Sequence, residues 1–205
     1  MRAGKRAFDL VCSGIGLIVL APLLLLVSTA IWLEDRGSVF FRQERIGLRG
    51  HPFRMWKFRT MVVDAEARGG QLTIGDDSRI THVGRWLRRL KLDELPQLVN
   101  VIAGNMSLVG PRPEVGRYTK LYTEEQRKVL ELVPGITDPA SIRYRDEGTL
   151  LAQADDPERL YVECIMPDKI RINLEYAGHA TVVTDFVTVS RTIMHILNRS
   201  GRTSL

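Results

Sequence analysis

The hydrophobic and polar positions along the chain begin with one long apolar run. Residues 10–33 carry no charged side chain. As an α-helix with a rise of about 1.5 Å per residue, this run is about 36 Å long, enough to cross the hydrocarbon core of a bilayer. A cleaved signal peptide is the alternative, because Ser28–Ala30 loosely resembles a cleavage site, but the run is too long and continues through Leu33. The pattern therefore predicts a segment that enters a membrane.

The flanks of this run and its central proline indicate how it meets the membrane. Pro22 removes a backbone donor and clashes with the preceding turn, so we expect a kink or break at bilayer depth. A helix broken there enters and leaves through one leaflet and keeps both basic flanks in the cytoplasm, whereas a simple span leaves one flank on the wrong side. The sequence favours this re-entrant hairpin over a simple span. The basic residues are Arg2, Lys5 and Arg6 before the run, and Arg36, Arg42, Arg45 and Arg49 after it.

Two short segments rich in β-forming residues follow the apolar run. Val39–Phe41 and Phe53–Phe58 surround a turn that is bracketed by Gly47 and Gly50, which predicts a β-hairpin. Aromatic and basic side chains alternate in the second segment, a pattern that suits a nucleic-acid surface as well as a lipid interface. The neighbouring membrane segment favours the lipid interface.

In the rest of the chain, the spacing of apolar residues and the capping residues predict helices. A helix is predicted from about Arg79, after a polar and glycine-rich loop, with apolar and basic positions interleaved. It either lies flat on anionic head groups or packs on the core with a solvated basic face, and both remain open. Its apolar face consists of Val83, Trp86, Leu87 and Leu90. Further helices are predicted from Thr123, with Gln126 at capping-box spacing, to Pro134–Gly135; from Asp156–Pro157; near Pro167; and from Val182 to Leu197.

These elements predict an α+β, predominantly helical fold with a small β-hairpin and amphipathic interfacial helices. Residues 1–36 form the predicted membrane segment, and residues 37–205 form one domain at the cytosolic face. The formal net charge of +5 indicates attraction to polyanions, either nucleic acid, anionic lipid or phosphorylated small molecules. Cys12 and Cys164 lie far apart and belong to no CxxC or Cys/His cluster, which argues against a disulfide framework or a zinc site and favours a reducing compartment.

Several common catalytic motifs are absent from the sequence. The chain has no GxxxxGK[ST] loop, no GxGxxG after a strand, no GxSxG and no HExxH, and its histidines are scattered. ATPase, dinucleotide-binding, serine hydrolase and zinc-dependent functions therefore lose support. Carboxylates and cations remain as the candidate chemical groups.

Two adjacent carboxylates, Asp93 and Glu94, stand between a cationic run and Pro96. Because proline prefers the first position of a helix, we expect the pair at a helix N-terminus, where free backbone amides bind phosphate. An ionised Asp93 is a candidate nucleophile, and Glu94 is a candidate for moving a proton or, with Asp93, for holding a Mg²⁺ ion that bridges to substrate phosphates. A surface helix with mixed charges is the alternative. The cations expected to keep both carboxylates ionised are Arg88, Arg89 and Lys91.

Arg112 lies between two prolines, Pro111 and Pro113. The prolines restrict the backbone on both sides, so the guanidinium has less freedom to lose when it binds a phosphate in a bidentate fork. Taken alone, this tripeptide is more typical of a structural turn. Together with the carboxylate pair, it makes Arg112 a candidate phosphate ligand.

Five segments carry a resemblance to a known family: "KRAFDLVCSGIGLIVLAPLLLL", "FFRQERIG", "FRMWKFRTM", "THVGRWLRRLKLDELPQLVNVIAGNMSLVGPRPE" and "LVPGIT". Together they resemble the monotopic phosphoglycosyl transferases, the bacterial sugar transferases that begin glycoconjugate assembly on undecaprenyl phosphate. The resemblance runs from Lys5 to about Thr137 and is most specific between Leu90 and Glu114. It implies a re-entrant membrane helix, an active site on the cytoplasmic face of the bacterial inner membrane, and transfer of a phosphosugar from a UDP-sugar to a polyprenyl phosphate.

The resemblance also implies roles for individual residues. Asp93 is implied as the nucleophile that forms a covalent phosphosugar intermediate and releases UMP, and Glu94 is implied as the Mg²⁺ ligand. Arg112, together with Pro111, belongs to the motif that would bind phosphate. Further basic positions that match the family and are candidate substrate contacts are Lys57, Arg59 and Arg88.

Two other classes of function stay open from the residues alone. A glycosidase that uses two carboxylates needs them about 5 Å or more apart across the scissile bond, which sequence neighbours seldom achieve. A non-enzymatic basic adaptor for membranes or nucleic acid explains the charge. It gives no reason for Asp93–Glu94 before a proline or for Arg112 between prolines.

Several features are left open by the sequence. Ala21 precedes Pro22 where the family often has serine, and the missing hydroxyl removes one partner for backbone groups freed by the proline. The sugar and the oligomeric state are undetermined, with a homodimer as one candidate. "DPASIRYRDEGTLL" is the segment in which we expect sugar contacts. The expected partners are a UDP-sugar, a polyprenyl phosphate and membrane lipid, with no nucleic acid.

The re-entrant topology is testable by labelling. A cysteine introduced at Ala3, in a chain without Cys12 and Cys164, should react with a membrane-impermeant maleimide only from the cytoplasmic side, because both basic flanks stay there. Labelling in intact cells and in inverted membrane vesicles measures this. Reaction from the outside of intact cells would instead indicate a simple span.

Overall fold

A computed structural model describes residues 3–65 and 77–200 of the chain, with side chains described as far as residue 196. Arg2 and most of the predicted polar loop before the second helix lie outside the described residues. The helices are α1 Ala3–Asp35, α2 His82–Arg89, α3 Gln97–Ile102, α4 Gly116–Thr119, α5 Glu124–Arg127, α6 Pro139–Arg143, α7 Glu147–Ala152, α8 Pro157–Leu160, α9 Met166–His179 and α10 Val182–Ser200. The strands are β1 Phe40–Ile46, β2 Pro52–Phe58, β3 Ser107–Val109 and β4 Gly135–Thr137. This confirms a predominantly helical α+β fold.

The first helix, α1, runs without interruption through Pro22. Of the two outcomes expected there, a break into two helices is therefore wrong. A proline removes only its own N–H donor, and the residues on either side keep theirs, so an apolar helix continues past it. Within the described residues, α1 is the one helix long and apolar enough to cross a membrane.

Both halves of α1 pack on the rest of the described structure. Before Pro22, Leu17 and Leu20 contact a cluster that contains Leu98 of α3. After Pro22, Val27 and Ile31 are buried in a second cluster. The opposite side of the helix lacks protein cover: Ile18 is 77% exposed, and the other exposed apolar residues of α1 include Leu10, Val11, Ile15, Val19, Leu25, Leu26, Trp32 and Leu33. The helix thus presents an apolar surface suited to lipid.

The predicted hairpin is confirmed and is longer than expected. Strands β1 and β2 pair antiparallel, with Phe40 opposite Phe58 and Ile46 opposite Pro52. Alternate side chains of β2 point to opposite faces. Met55 packs against α3 on one face, and Phe58 packs against α1 on the other. The hairpin is therefore held between the membrane helix and the short helix α3.

Asn100 of α3 completes the outer edge of β2. Its carboxamide oxygen accepts a hydrogen bond from the backbone N–H of Trp56 at 2.8 Å, and its amide nitrogen donates to the carbonyl of Arg54 at 2.9 Å. The side chain is 2% exposed. One asparagine thus satisfies a donor and an acceptor that would otherwise remain unpaired on the strand.

A second, parallel pair of strands was not predicted. Ser107 of β3 lies opposite Gly135 of β4, and Val109 lies opposite Thr137. Strands of three residues are too short to show a two-residue periodicity. Gly110, directly after β3, is closely packed: a Cβ at this position would lie 2.3 Å from the carbonyl oxygen of Val133. This pair places the segment that carries Arg112 beside α3.

Helix α2 begins later than expected. Asp77 accepts hydrogen bonds from the backbone and side chain of Arg79 and forms a turn, so the helix starts at His82 after Thr81, whose hydroxyl caps it. Leu87 is buried against α1, whereas Trp86 is 64% exposed. The structure therefore supports core packing for the apolar face, apart from Trp86.

Four further helices, α5, α8, α9 and α10, begin close to their predicted starts, whereas α4, α6 and α7 were not predicted. The capping box of Thr123 and Gln126 is present, and Asp156 caps a helix that has Pro157 in its first turn. The first of these helices tightens to a 3₁₀ turn at 128–131 and ends before Pro134, because proline disfavours helical backbone in the preceding residue. Helix α9 begins at Met166 after a π-helical segment, Tyr161–Ile165, and α10 begins at Val182 as predicted.

The role of Asn100 gives a stability prediction. Asn100→Ala should lower the free energy of unfolding by about 2 to 4 kcal/mol, because it leaves one backbone donor and one acceptor buried without partners. Equilibrium urea unfolding in detergent measures this. Asn105→Ala, an exposed asparagine on the following turn, is the control and should change stability by less than about 0.5 kcal/mol. Equal effects of the two substitutions would contradict the assigned role.

Candidate active site

The two carboxylates lie in the short connection between α2 and α3. After α2, Lys91 adopts a left-handed backbone conformation with φ of 55°, and Leu92–Glu94 form a 3₁₀ turn. Pro96 then precedes α3 as its N-cap residue, one position earlier than expected. A left-handed residue commonly ends a helix, but a non-glycine residue there costs about 1 to 2 kcal/mol. The pair therefore sits in a tight turn that reverses the chain before α3.

Arg112 grips one member of the pair. Its Nη2 lies 2.5 Å from Glu94 Oε1, and its Nη1 lies 3.1 Å from Oε2, a bidentate ion pair. Lys57 Nζ lies 3.7 Å from the same Oε1. Lys57 reaches this point because it shares a face of β2 with Phe53 and Met55, which pack over α3. The structure thus brings together Glu94, Arg112 and Lys57 from three separate segments.

Glu94 is held as an anion. Burial opposes its ionisation, but the charges of Arg112 and Lys57 and the hydrogen bonds of Arg112 outweigh burial and lower the pKa of Glu94 well below its usual range. A carboxylate with two close cations is strongly stabilised in a low-dielectric site. Glu94 therefore carries a fixed negative charge at neutral pH.

Asp93 is in a different electrostatic state. It is 8% exposed, its Oδ1 is fully buried, and it accepts no hydrogen bond from the described residues. Burial and the adjacent charge of Glu94 raise the pKa of Asp93, and Lys57, Lys91 and Arg88 oppose this rise only in part. Of the expected cations, Lys91 and Arg88 act on Asp93, but they do not bring its pKa below the ordinary value. Asp93 is therefore a carboxylate with a raised pKa and an Oδ1 that has no hydrogen-bond partner, a state suited to a nucleophile.

The other predicted basic residues lie at different distances from the pair. Arg88 donates from Nε to the Thr60 hydroxyl at 2.8 Å; burial lowers the pKa of Arg88, and the charge of Asp93 opposes this shift. Arg59 instead forms a bidentate ion pair with Asp35 at the end of α1, with distances of 2.5 and 2.7 Å. The structure therefore brings Arg88 close to the pair and places Arg59 against the membrane helix.

A cavity of about 640 Å³ opens beside Glu94 and Arg112. This volume is in the range of small-molecule sites, about 300 to 1,000 Å³. Its lining includes the cations Arg45, Lys91, Arg145 and Lys169. Seven residues of the segment in which we expected sugar contacts also line it, namely Ser141, Ile142, Tyr144, Arg145, Glu147, Gly148 and Leu151.

Three residues of this cavity, namely Glu114, Arg45 and Tyr161, were not predicted from the sequence as site residues. Glu114 accepts hydrogen bonds from the hydroxyl of Tyr161 and from the backbone N–H of Val115, and lies 3.4 Å from Nη1 of Arg45. Burial lowers the pKa of Arg45, and Glu114 opposes this shift. Both residues stand in segments that carry the family resemblance, and an acidic residue directly after Pro-Arg-Pro was the available signal. Tyr161, at the start of the π-helical segment, had no signal of its own.

The donor set for a metal ion consists of the carboxylate pair. The described residues contain no cluster of three or more His, Cys, Asp or Glu side chains. Mg²⁺ sites in phosphate-transfer enzymes commonly use one or two carboxylates, with substrate phosphates and water as the other ligands. The unpartnered Oδ1 of Asp93 fits this arrangement, and Glu94 would join it if one of its two oxygens left Arg112.

The family of the chain follows from its sequence profile. The profile described as bacterial sugar transferase matches residues 1–199. The chain therefore belongs to the bacterial sugar transferases, and the cavity with its carboxylate pair lies in the matched region.

The chain is similar to several named proteins. The chain is 44% identical over 142 residues to the uncharacterized sugar transferase EpsL of Bacillus subtilis (strain 168). This alignment covers 69% of this chain and 69% of EpsL. It is 37% identical over 197 residues to the UDP-glucose:undecaprenyl-phosphate glucose-1-phosphate transferase of Caulobacter vibrioides, covering 94% of this chain and 69% of that one. It is 39% identical over 200 residues to the undecaprenyl-phosphate glucose phosphotransferase of Komagataeibacter xylinus, of which it covers only 36%. Some relatives are thus much longer than this chain.

The electrostatics of the site can be tested at Lys57. Burial lowers the pKa of Lys57 to about 8, and Glu94 is the strongest of the charges that raise it. Glu94→Gln should therefore lower the pKa of Lys57 below 8, since the opposing carboxylate is gone while burial and Arg112 remain. NMR titration of ¹³C-methylated lysines measures this, with Lys57→Arg to assign the signal.

The matched control is Glu131→Gln, because Glu131 is an exposed carboxylate on another segment. It should leave the Lys57 titration unchanged. Titration of Lys57 near pH 10.5, or a midpoint that is the same in Glu94→Gln and wild type, would contradict the assigned site geometry.

Proposed function

We propose that this chain is a phosphoglycosyl transferase that moves a phosphosugar from a UDP-sugar to a polyprenyl phosphate, through a covalent intermediate on Asp93. The observation that carries the proposal is that the two carboxylates have different contacts and different electrostatic states. Glu94 is tied to Arg112 and Lys57, whereas Asp93 is buried, has a raised pKa and has no hydrogen-bond partner among the described residues. The relative from Caulobacter vibrioides is named for UDP-glucose and undecaprenyl phosphate, and the one from Komagataeibacter xylinus is named for undecaprenyl phosphate, which supports the substrate classes.

In the first step, a carboxylate oxygen of Asp93 attacks the phosphorus that bears the sugar. A bond forms between that oxygen and the phosphorus, and the bond from this phosphorus to the bridging oxygen breaks, so UMP leaves with the electron pair. Lys57 and Arg112 stabilise the negative charge that develops on the phosphate oxygens. Asp93 must be ionised to attack. Its burial and the charge of Glu94 oppose this ionisation, whereas the nearby cations favour it.

In the second step, a phosphate oxygen of the polyprenyl phosphate attacks the same phosphorus. The bond to Asp93 breaks, and the carboxylate is regenerated, so no proton is needed in either step. A Mg²⁺ ion held by Glu94 and Asp93 would neutralise the charge of the donor phosphates when bound. The cavity wall that carries Arg145 and Lys169 is suited to the remainder of the anionic donor.

We also propose that α1 is re-entrant and that the site lies on the cytoplasmic face of the bacterial inner membrane. Both ends of α1 contact elements of the same packed structure: Lys5 pairs with Asp185 of α10 at 2.5 Å, and Asp35 pairs with Arg59 after β2. A helix that crossed the bilayer would place one of its ends, and the element that this end contacts, on the other side of the membrane. Contacts at both ends, with an exposed apolar surface between them, support entry and exit through one leaflet.

The covalent step gives a direct test. Purified protein with a UDP-sugar and Mg²⁺, without acceptor, should release about one equivalent of UMP, and Asp93→Asn should release none because an amide is not a nucleophile here. A panel of UDP-sugars and a UMP assay measure this, with intact-protein mass spectrometry for the phosphosugar adduct. The control is Asp155→Asn, an exposed aspartate, which should release the same amount as wild type. Release of UMP only when the polyprenyl phosphate is also present would contradict a covalent intermediate.

A further inference from the structure

The two helices that flank the carboxylate pair are held by opposite halves of the membrane helix. Leu98 of α3 packs with Leu17 and Leu20, which precede Pro22. Leu87 of α2 packs with residues of α1 that follow Pro22, namely Val27 and Ile31. The turn that carries Asp93 therefore connects two helices whose supports lie on either side of a proline.

The second half of α1 also caps α2. Glu34 Oε1 accepts hydrogen bonds from the backbone N–H groups of His82 at 2.8 Å and Val83 at 3.3 Å. These are the first two helical residues, whose N–H groups have no partner within the helix. A carboxylate at this end is further favoured by the helix dipole. Glu34 thus fixes the start of α2 to the end of the membrane helix.

The first half of α1 caps α3 in the complementary way. Arg6 donates from Nη1 to the carbonyl of Val101 at 2.6 Å and from Nη2 to the carbonyl of Ile102 at 2.9 Å. These carbonyls lie at the C-terminus of α3, where a cation is favoured. Arg6 thus fixes the end of α3 to the beginning of the membrane helix.

The connection between the two helices has little slack. It consists of residues 90–96, with Lys91 in a left-handed conformation and Glu94 held by Arg112. Asp93 has no hydrogen bond of its own from the described residues. When the separation of α2 and α3 changes, the turn between them must therefore change its shape. Asp93 is the carboxylate of this turn that is least restrained.

We propose that flexing of α1 at Pro22 sets the position of Asp93, with Arg6 and Glu34 as positioning residues, so that bilayer thickness controls the first chemical step. This inference rests on the proposed function for its kinetic readout. A proline permits a helix to bend, and an apolar helix adjusts its bend to the thickness of the hydrocarbon around it. Bending moves the two halves of α1 relative to each other and carries α2 and α3 with them.

The positioning residues are tested by single-turnover release of UMP. Arg6→Ala and Glu34→Ala should each lower the rate constant by about ten-fold or more, since small displacements of a reacting group slow a reaction steeply. The KM for the UDP-sugar should change by less than about two-fold, because the cavity cations are untouched. Arg6→Lys and Glu34→Gln keep a donor and an acceptor and should restore the rate.

The matched control on the same helix is Thr29→Ala. Its hydroxyl is exposed and bonds only the carbonyl of Leu25 in its own helix, so the rate should stay at the wild-type value. Rates in Arg6→Ala and Glu34→Ala that stay within about two-fold of wild type would overturn the proposal.

Bilayer thickness is tested without substitutions at the capping residues. In vesicles of short-chain and long-chain monounsaturated phosphatidylcholine, the single-turnover rate constant should differ by at least about three-fold while the KM for the UDP-sugar stays constant. A spin-label pair at Arg85 on α2 and Ala103 after α3, in a chain without Cys12 and Cys164, should show a distance that changes between the two lipids.

The two hypotheses fail in different ways. A wild-type protein that releases no UMP from any UDP-sugar refutes the proposed function, and the spin-label distance then decides the coupling alone. A distance that is identical in the two lipids overturns the coupling, whatever the activity.

Discussion

The ion pair between Glu94 and Arg112 is the interaction on which the candidate site depends. Two adjacent carboxylates repel each other, and burial makes each of them harder to ionise. Arg112 and Lys57 keep Glu94 ionised, and burial together with the charge of Glu94 raises the pKa of Asp93. The same ion pair joins the turn after α2 to the segment after β3. One contact thus assembles the site and separates the electrostatic states of two neighbouring residues.

The membrane helix is part of this scaffold as well as an anchor. Its buried face supports α2 and α3, and its ends are tied to the rest of the protein by Arg6, Lys5, Glu34 and Asp35. Exposed ion pairs contribute little stability, but caps on helix ends remove unpaired backbone groups. Elements that follow residue 36 therefore pack against both halves of α1.

The candidate site was only partly predictable from the sequence. Asp93, Glu94 and Arg112 were identified because unusual residue types stand next to prolines. Arg59 looked equivalent to Lys57, since both are basic and lie at the end of the same strand segment. Lys57 and Arg59 are two positions apart, a spacing that places side chains on the same face of a strand. The strand ends at Phe58, however, and the Arg59 side chain binds Asp35 instead. Glu114 was overlooked because its partners, Arg45 and Tyr161, lie far away in sequence.

The sequence by itself determined the apolar segment, the hairpin, the helix caps and the position of the carboxylate pair between two helices. These features depend on neighbouring residues, through hydrophobic periodicity, turn residues and capping side chains. Only the tertiary structure decided that the helix continues through Pro22, that β3 pairs with β4, and which cation neutralises which carboxylate. Those outcomes depend on contacts between distant residues and on burial, and burial sets the pKa of Asp93 more strongly than the charges beside it in the sequence.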